Sequence, residues 1–203
     1  AEDGTGTTTY SVAMTRAEAL AIALAAPSVI TTANQDAYGL SGTCNMTGVS
    51  VVVTLASGSA SASSSAAACN DGTWSATADA SSLADGIVTV TAVGSTDLET
   101  DTVTSSVNKD TTGPAVSVPA SITVDADSAD GTPASNAAIA AFLEEATAAD
   151  VTDGSVSVTN DAPAVFLVGA TTVTFSASDV LGNVGSNTAV VTVEDQSPPV
   201  IDA

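Results

Sequence analysis

The side chains able to do chemistry in this chain of 203 residues are nearly all carboxylates. Twenty-three Asp and Glu stand against two basic residues, Arg16 and Lys109, and there is no histidine. General acid–base catalysis is left without its most common group. Neither Arg16 nor Lys109 has a second cation near it in sequence with which to clamp an anion. Paired carboxylates can hydrolyse glycosides, but such pairs work in aromatic-lined clefts, and one Trp, two Tyr and three Phe supply little lining. No Gly-rich phosphate loop or zinc-type spacing occurs. The expectation is a protein that is not an enzyme. One ligand does suit the inventory: Ca²⁺, which takes six to eight oxygens from carboxylates, Asn side chains and loop carbonyls. The candidate ligands are Asp110, Asp150, Asp153, Asp179, Asn183 and Asp195, all in segments that read as loops. The competing reading is that they are ordinary turn formers, bonded to their own backbone, and no EF-hand spacing is present.

The same imbalance constrains partners. A formal net charge of −21 repels nucleic acid and anionic lipid and keeps the chain soluble. No apolar run reaches the ~18 residues that would span a bilayer, so membrane insertion is not expected. Met14–Ala26 imitates a signal peptide only loosely, because it starts late and contains Glu18. Disorder is not expected either, since 44% of the residues are hydrophobic. Cys44 and Cys69 are the only cysteines. They read as one disulfide, formed in an oxidising compartment, against the alternative of two buried thiols.

These residues need elements to hold them, and the pattern is chiefly β. Thr7 to Val12 is weakly strand-like. Thr15 and Glu18 form a capping box, and the apolar run after it, closed by Pro27, predicts a helix over 15–26 with Leu20 and Leu24 on one face. From Val29 to Asn108 strands alternate with turns. Tyr38–Cys44, Val49–Leu55, Thr73–Ala78 and Ile87–Val93 are strands, and Ser57–Ala68 is an edge strand with a loop. Asn70-Asp71-Gly72 and Ala84-Asp85-Gly86 are turns. The polar segment 108–114 is a boundary. Beyond it, strands near Val116–Val124, Val156–Val158, Val165–Val168, 171–177 and 188–193 are interrupted by a helix over 136–147, with Ile139, Phe142 and Leu143 on its buried face. Turn signals about every ten residues indicate sandwiches. The fold expected is all-β: two tandem immunoglobulin-like β-sandwiches at 34–108 and 109–203, a short N-terminal helix within an extension at 1–33, and one helical insertion in the second module.

Residues 110–199 resemble the HYR (hyalin repeat) type of immunoglobulin-like module. The matching text is Asp110-Thr-Thr-Gly-Pro114, then Asp150-Val-Thr-Asp153-Gly154, then Phe166-Leu-Val-Gly169-Ala-Thr-Thr-Val-Thr-Phe, closing on Asp179-Val-Leu-Gly182-Asn183. The final Asp195-Gln-Ser-Pro198-Pro199 echoes the opening segment, as in a head-to-tail repeat. Residues 36–107 are similar, less specifically, to bacterial immunoglobulin-like repeats, through Leu40-Ser-Gly-Thr-Cys44, Cys69-Asn-Asp-Gly-Thr-Trp74 and Leu83-Ala-Asp85-Gly86. There Asp97-Leu98-Glu99-Thr100-Asp101 replaces the Asp-x-x-Gly-Asn turn that relatives carry. These resemblances imply a secreted or cell-surface bacterial protein, with the modules acting as spacers or in adhesion. The partners expected are copies of the chain or neighbouring repeats, or a cell-surface or glycan receptor, although the usual aromatic platform for sugars is missing. An alternative expectation is a filament subunit, joined through the N-terminal extension by Tyr10, Val12, Leu20 and Leu24.

Overall fold

The computed structural model describes residues 18–196. Alternation of side chains decides most of the first half. Eight strands follow one another: β1 (Ile22–Leu24), β2 (Tyr38–Cys44), β3 (Ser50–Ser57), β4 (Ala60–Ser63), β5 (Ala67–Ala68), β6 (Thr73–Ala78), β7 (Gly86–Ser95) and β8 (Thr100–Lys109). One antiparallel sheet runs in the order β1-β2-β6, and a second runs β4-β3-β7-β8 with β5 also on β3. The inward residues of both sheets meet in one cluster. Tyr38, Leu40 and Trp74 come from the first sheet and Val51, Val53, Leu55, Val88 and Val90 from the second. The residues between them in β3, β7 and β8 are mostly Ser and Thr, so each strand reads apolar inward and hydroxylated outward. Cys44, at the end of β2, is bonded to Cys69, next to β5, with Cα atoms 6.5 Å apart. The disulfide therefore ties one sheet to the other.

The helix expected over 15–26 is not there. Residues 1–17, including Thr15, Tyr10, Val12 and the strand-like segment 7–12, lie outside the described residues. From Glu18 onward the chain is extended, and Ile22–Leu24 pairs with Gly42–Cys44. The reason lies in the period. Leu20 and Ile22 are buried while Ala21 and Ala23 are exposed, an alternation of two that a helix cannot satisfy. A short helix has little stability of its own, whereas the open edge of β2 offers a ladder. Gly42 makes this pairing possible: a Cβ there would run into the Ala23 carbonyl and the Trp74 ring. Trp74 Nε1 in turn donates to the Ala23 and Thr43 carbonyls, both at 3.2 Å. Leu20, Ile22 and Ile30, in the segment read as an extension, thus belong to the first core, and Leu24 packs against it.

The second half is built from β9 (Ala115–Ser117), β10 (Ile122–Asp125), β11 (Thr132–Pro133), the helix α1 (Ala137–Glu144), β12 (Thr147–Asp150), β13 (Gly154–Val156), β14 (Thr159–Asn160), β15 (Val165–Phe166), β16 (Gly169–Ser178) and β17 (Val184–Glu194). The sheets run β10-β17-β16-β14, β13-β12-β9 and β11-β15, with β10 parallel to β17. A separate cluster fills this half: Ile139 and Phe142 from α1 against Phe166, Val173, Phe175, Val191 and Val193. Phe142 and Phe175 meet edge to face, centroids 5.8 Å apart. The Asn136 side chain caps α1 by accepting from the Ala138 N–H. The helix stops at Glu144 rather than at 147. Glu144 and Glu145 sit at its negative end with no basic residue in the last turn, and Thr147–Ala149 is drawn into a ladder with Ala115–Ser117. Among the described residues, no helix is long and apolar enough to cross a membrane.

The end of β8 is held by the segment that precedes β2. Ile30 donates its N–H to the Asn108 carbonyl and accepts from the Asp110 N–H, each at 2.9 Å. Past Gly113 the chain presses on the start of β17, where only Gly185 leaves room for the Pro114 carbonyl. The disulfide adds a covalent tie between the two sheets that enclose the first core. Its 25-residue separation is worth about 3 kcal/mol in denatured-state entropy. Reducing it, or replacing both cysteines by Ser, is expected to lower the unfolding free energy by that amount in denaturant titration.

Candidate cation site at the end of strand β8

Successive residues of a strand face opposite ways, and at the end of β8 that places two opposite charges on opposite sides of the chain. Lys109 turns into the first half, where 3% of it remains exposed. Its Nζ lies 3.0 Å from Asp85 Oδ1 and 3.1 Å from the Thr111 hydroxyl. Asp85 is the hub of this cluster. Besides Lys109 it accepts from the N–H groups of Thr111 and Thr112, both at 3.0 Å, and from their hydroxyls, at 2.8 and 2.7 Å. Burial alone would raise the Asp85 pKa. The Thr111 and Thr112 hydrogen bonds and the Lys109 contact outweigh it and hold the carboxyl at about 2.

Asp110 turns the other way, towards the second half, and is 4% exposed. It meets the tight turn Asp150–Gly154, which joins β12 to β13, and the turn 179–183, which joins β16 to β17. One carboxylate oxygen from each of Asp110, Asp150 and Asp179 falls within 4.8 Å of the others. The Thr152 hydroxyl sits between two of them, 2.6 Å from Asp110 Oδ2 and 2.9 Å from Asp150 Oδ1. The Asn183 amide nitrogen reaches Asp179 Oδ2 at 2.6 Å and Asp110 Oδ1 at 3.3 Å. Local bonds shape both turns: Asp150 accepts from the Thr152 and Asp153 N–H groups, and Asp179 from the Asn183 N–H.

The electrostatics of this cluster are unfavourable as it stands. Burial, and then the Asp179, Asp150 and Asp85 carboxylates, push the Asp110 pKa up against the opposing bond from Thr152. Asp150, with the Thr152 N–H as its main partner, goes the other way and is lowered. The one nearby cation, Lys109, faces Asp85 instead. The donor set is therefore hard oxygen, largely anionic and partly desolvated, in a chain with almost no basic residues. That is the chemistry a divalent cation of the Ca²⁺ type takes.

Of the residues expected to bind a cation, Asp110, Asp150, Asp179 and Asn183 come together here. Asp153 borders the group, but its carboxylate accepts from the Val180 N–H at 2.8 Å and holds the neighbouring turn. Asp195 follows the far end of the eleven-residue strand β17 and does not reach the cluster. Thr152, Asp85 and Lys109 were not expected as parts of the site. Lys109 carried a readable signal: it shares the parity of Val107, and both are buried.

Residues 109–193 match the family model of the HYR domain. No curated protein matches the chain. Among solved structures, it is similar to a Ca²⁺-stabilized adhesin that helps an Antarctic bacterium reach out and bind ice, at 20% identity and a TM-score of 0.38, over 88% of this chain and 50% of that one. A three-Ig fragment of titin is 12% identical with a TM-score of 0.45, over 86% and 65%. The protocadherin gamma B4 extracellular domain is 13% identical with a TM-score of 0.34, over 87% and 33%. The chain thus spans half the length of the adhesin structure.

Replacing Asp85 by Asn leaves Lys109 buried without its anion, which typically costs about 3–5 kcal/mol. The pH dependence has a definite sign. A carboxyl with a lowered folded pKa stabilises the fold above its unfolded value of 3.8 and loses that contribution as pH falls through about 2. Chemical denaturation of the chain and of Asp85→Asn should therefore show a gap that is full at pH 6 to 7 and shrinks between about pH 4 and 2.

Proposed function

We propose that this chain is a non-enzymatic, extracellular structural segment of a bacterial surface or adhesin protein: two immunoglobulin-like modules in tandem, the second a HYR module, set against each other by Ca²⁺. The observation that carries this reading is the cluster of Asp110, Asp150 and Asp179. Asp110 lies on the connection between the halves, while the other two lie on turns of the second half. One ion held by all three would fix the connection to the module it enters. Asn183 supplies a further oxygen if its amide turns over, and the Thr152 hydroxyl another.

Support for the wider role is of two kinds. The match to the HYR domain covers residues 109–193, and the disulfide suits an oxidising compartment outside the cytoplasm. The arrangement supports the spacer role: two separate cores, one short connection, and a charge of −21 that keeps neighbouring chains apart in solution. Segment 20–24, expected to serve assembly, is engaged with the first core of its own chain.

Calcium is the cheapest point of attack. A ligand at a hundred times its dissociation constant adds about 2.7 kcal/mol to folding stability. The thermal midpoint should rise when Ca²⁺ replaces EDTA. Asp110→Asn and Asp179→Asn should each abolish that rise while remaining folded in EDTA. A wild-type midpoint identical in Ca²⁺ and EDTA would remove the cation from this reading.

A further inference from the structure

Several large apolar side chains face solvent where the two halves meet. Val180 is 86% exposed, Val151 73% and Ile87 71%, with Val29 and Leu181 somewhat less. They come from both halves, and they are linked. Val151 lies over Gly86, where an added Cβ would stand 3.6 Å from its Cγ1. Ile87, the next residue, is paired with Asn108 across the β7–β8 ladder, so the two side chains share one face of the sheet. Asn108 in turn lines a cavity of about 130 Å³ with Val29, Val180 and Leu181. A belt of apolar surface thus leads from the β12–β13 turn, over the start of β7, to the β16–β17 turn. Exposed apolar surface of this kind is where partners dock.

Charge decides which partner fits. Among the described residues Lys109 is the only basic one, and it is buried against Asp85. Every charged side chain that the described residues present to solvent is therefore an acid. Beside the belt, Asp110 and the exposed Asp153 line the same cavity, and Asp150 and Asp179 adjoin Asp110. A second copy of the chain would bring the same anionic surface to the contact, acid against acid. An acidic protein or an anionic lipid surface meets the same repulsion. Apolar surface among carboxylates is complementary to a partner that carries aliphatic and cationic side chains together. Aliphatic contact then supplies affinity, and charge excludes the other partners.

We propose that this belt docks a cationic, aliphatic segment of another protein, in which Lys or Arg side chains flank Val, Leu or Ile. The aliphatic side chains pack on Ile87, Val151, Val180 and Leu181, and the cations meet Asp153 and the acidic surface around it. Because the belt draws on both halves, a bound segment bridges them. The inference goes beyond the cation reading and does not require the ion, so it is tested in EDTA.

Calorimetric titration of the full chain at physiological ionic strength, with three short synthetic peptides, makes the test. One peptide alternates Lys and Val, one Lys and Ser, and one Glu and Val. The Lys–Val peptide should bind one to one. The Lys–Ser peptide keeps the charge without the apolar contact, the Glu–Val peptide the reverse, and each should bind more weakly by about tenfold or more. Ile87→Ser and Val180→Ser, one from each half, change exposed side chains and should melt like the wild type. Each should weaken the Lys–Val peptide by about tenfold and leave the Lys–Ser peptide unchanged. Equal affinity for the Lys–Val and Lys–Ser peptides would reduce the contact to bulk charge and overturn the inference, as would wild-type affinity in both variants. Sedimentation velocity without peptide reads the rival occupant: self-association in high salt that Val180→Ser abolishes would give the belt to a second copy instead. A chain that ignores the Lys–Val peptide, yet melts higher in Ca²⁺ than in EDTA, would sink this inference and leave the cation site standing.

Discussion

Taking carboxylates out of water without a matching cation is the constraint around which this molecule is arranged. An isolated buried carboxylate is costly enough that it usually takes up a proton or acquires a partner. The chain has Lys109 as the only basic residue among its described residues and commits it to Asp85, together with both Thr111 and Thr112. The next residue, Asp110, is then buried on the opposite side with only Thr152 and Asn183 as donors. The two carboxylates beside the end of β8, Asp85 and Asp110, thus receive opposite solutions. One carboxylate is neutralised by protein, and the other is set among more carboxylates. On the proposed reading the second solution is completed by an ion, which supplies charge the sequence withholds.

That arrangement bears on the rest of the fold because the cores are modest. Val and Ala fill about half of the positions in the two core clusters, and each buried Val contributes less apolar area than a buried aromatic residue. The first core has Trp74 and Tyr38 as its large members, each tied to backbone: Trp74 to the Ala23 and Thr43 carbonyls, Tyr38 through its hydroxyl to the Ser28 carbonyl. Both tie down the N-terminal segment. The carboxylates of Glu99 and Asp101 do likewise, accepting from the Leu20 and Ile22 N–H groups. In the second half, the corresponding hairpin turn offers Asp179 and Asn183 to Asp110 instead. The same end of the same hairpin therefore receives an entering chain in both halves, once through backbone and once through side chains.

Much of this was legible in the sequence. Strands at Tyr38–Cys44 and Thr73–Ala78 follow from alternation bounded by turns, and the Asn136 cap from its position before an apolar run. The N-terminal helix was misread because Ala-rich text favours a helix in isolation, and the strand period of Leu20 and Ile22 makes sense only beside an open edge on β2. The helical insertion was drawn too long because pattern alone does not reveal that Thr147 has a ladder partner thirty residues earlier, in Ser117. For the candidate site, turn chemistry identified the Asp and Asn residues, since loops at one end of a sandwich converge. Asp195 lies at the opposite end of β17, where the echo of Asp110 would place it only in a longer row. Asp85 was hidden because an Asp before Gly looks like any turn. Its role depends on Lys109 across the β7–β8 ladder, where Gly86 faces Lys109.

The ladder also explains why the site falls where it does. A strand that leaves one core and enters another must pass through a point at which neither interior claims its side chains. Alternation then gives each of two consecutive residues to a different half. With Lys109 anchored by Asp85 beneath it, Asp110 has little rotational freedom, and its carboxylate is delivered to the turns of the second half at a fixed height. Ile30 closes the remaining route of escape by bonding on both sides of Lys109, to the Asn108 carbonyl and the Asp110 N–H. A flexible linker would present the same carboxylate over a wide range of positions, and a cation would have to order it on binding. Here the first half orders Asp110 and the turns of the second half order Asp150 and Asp179, so on the proposed reading the cost of arranging the ligands would be met by folding.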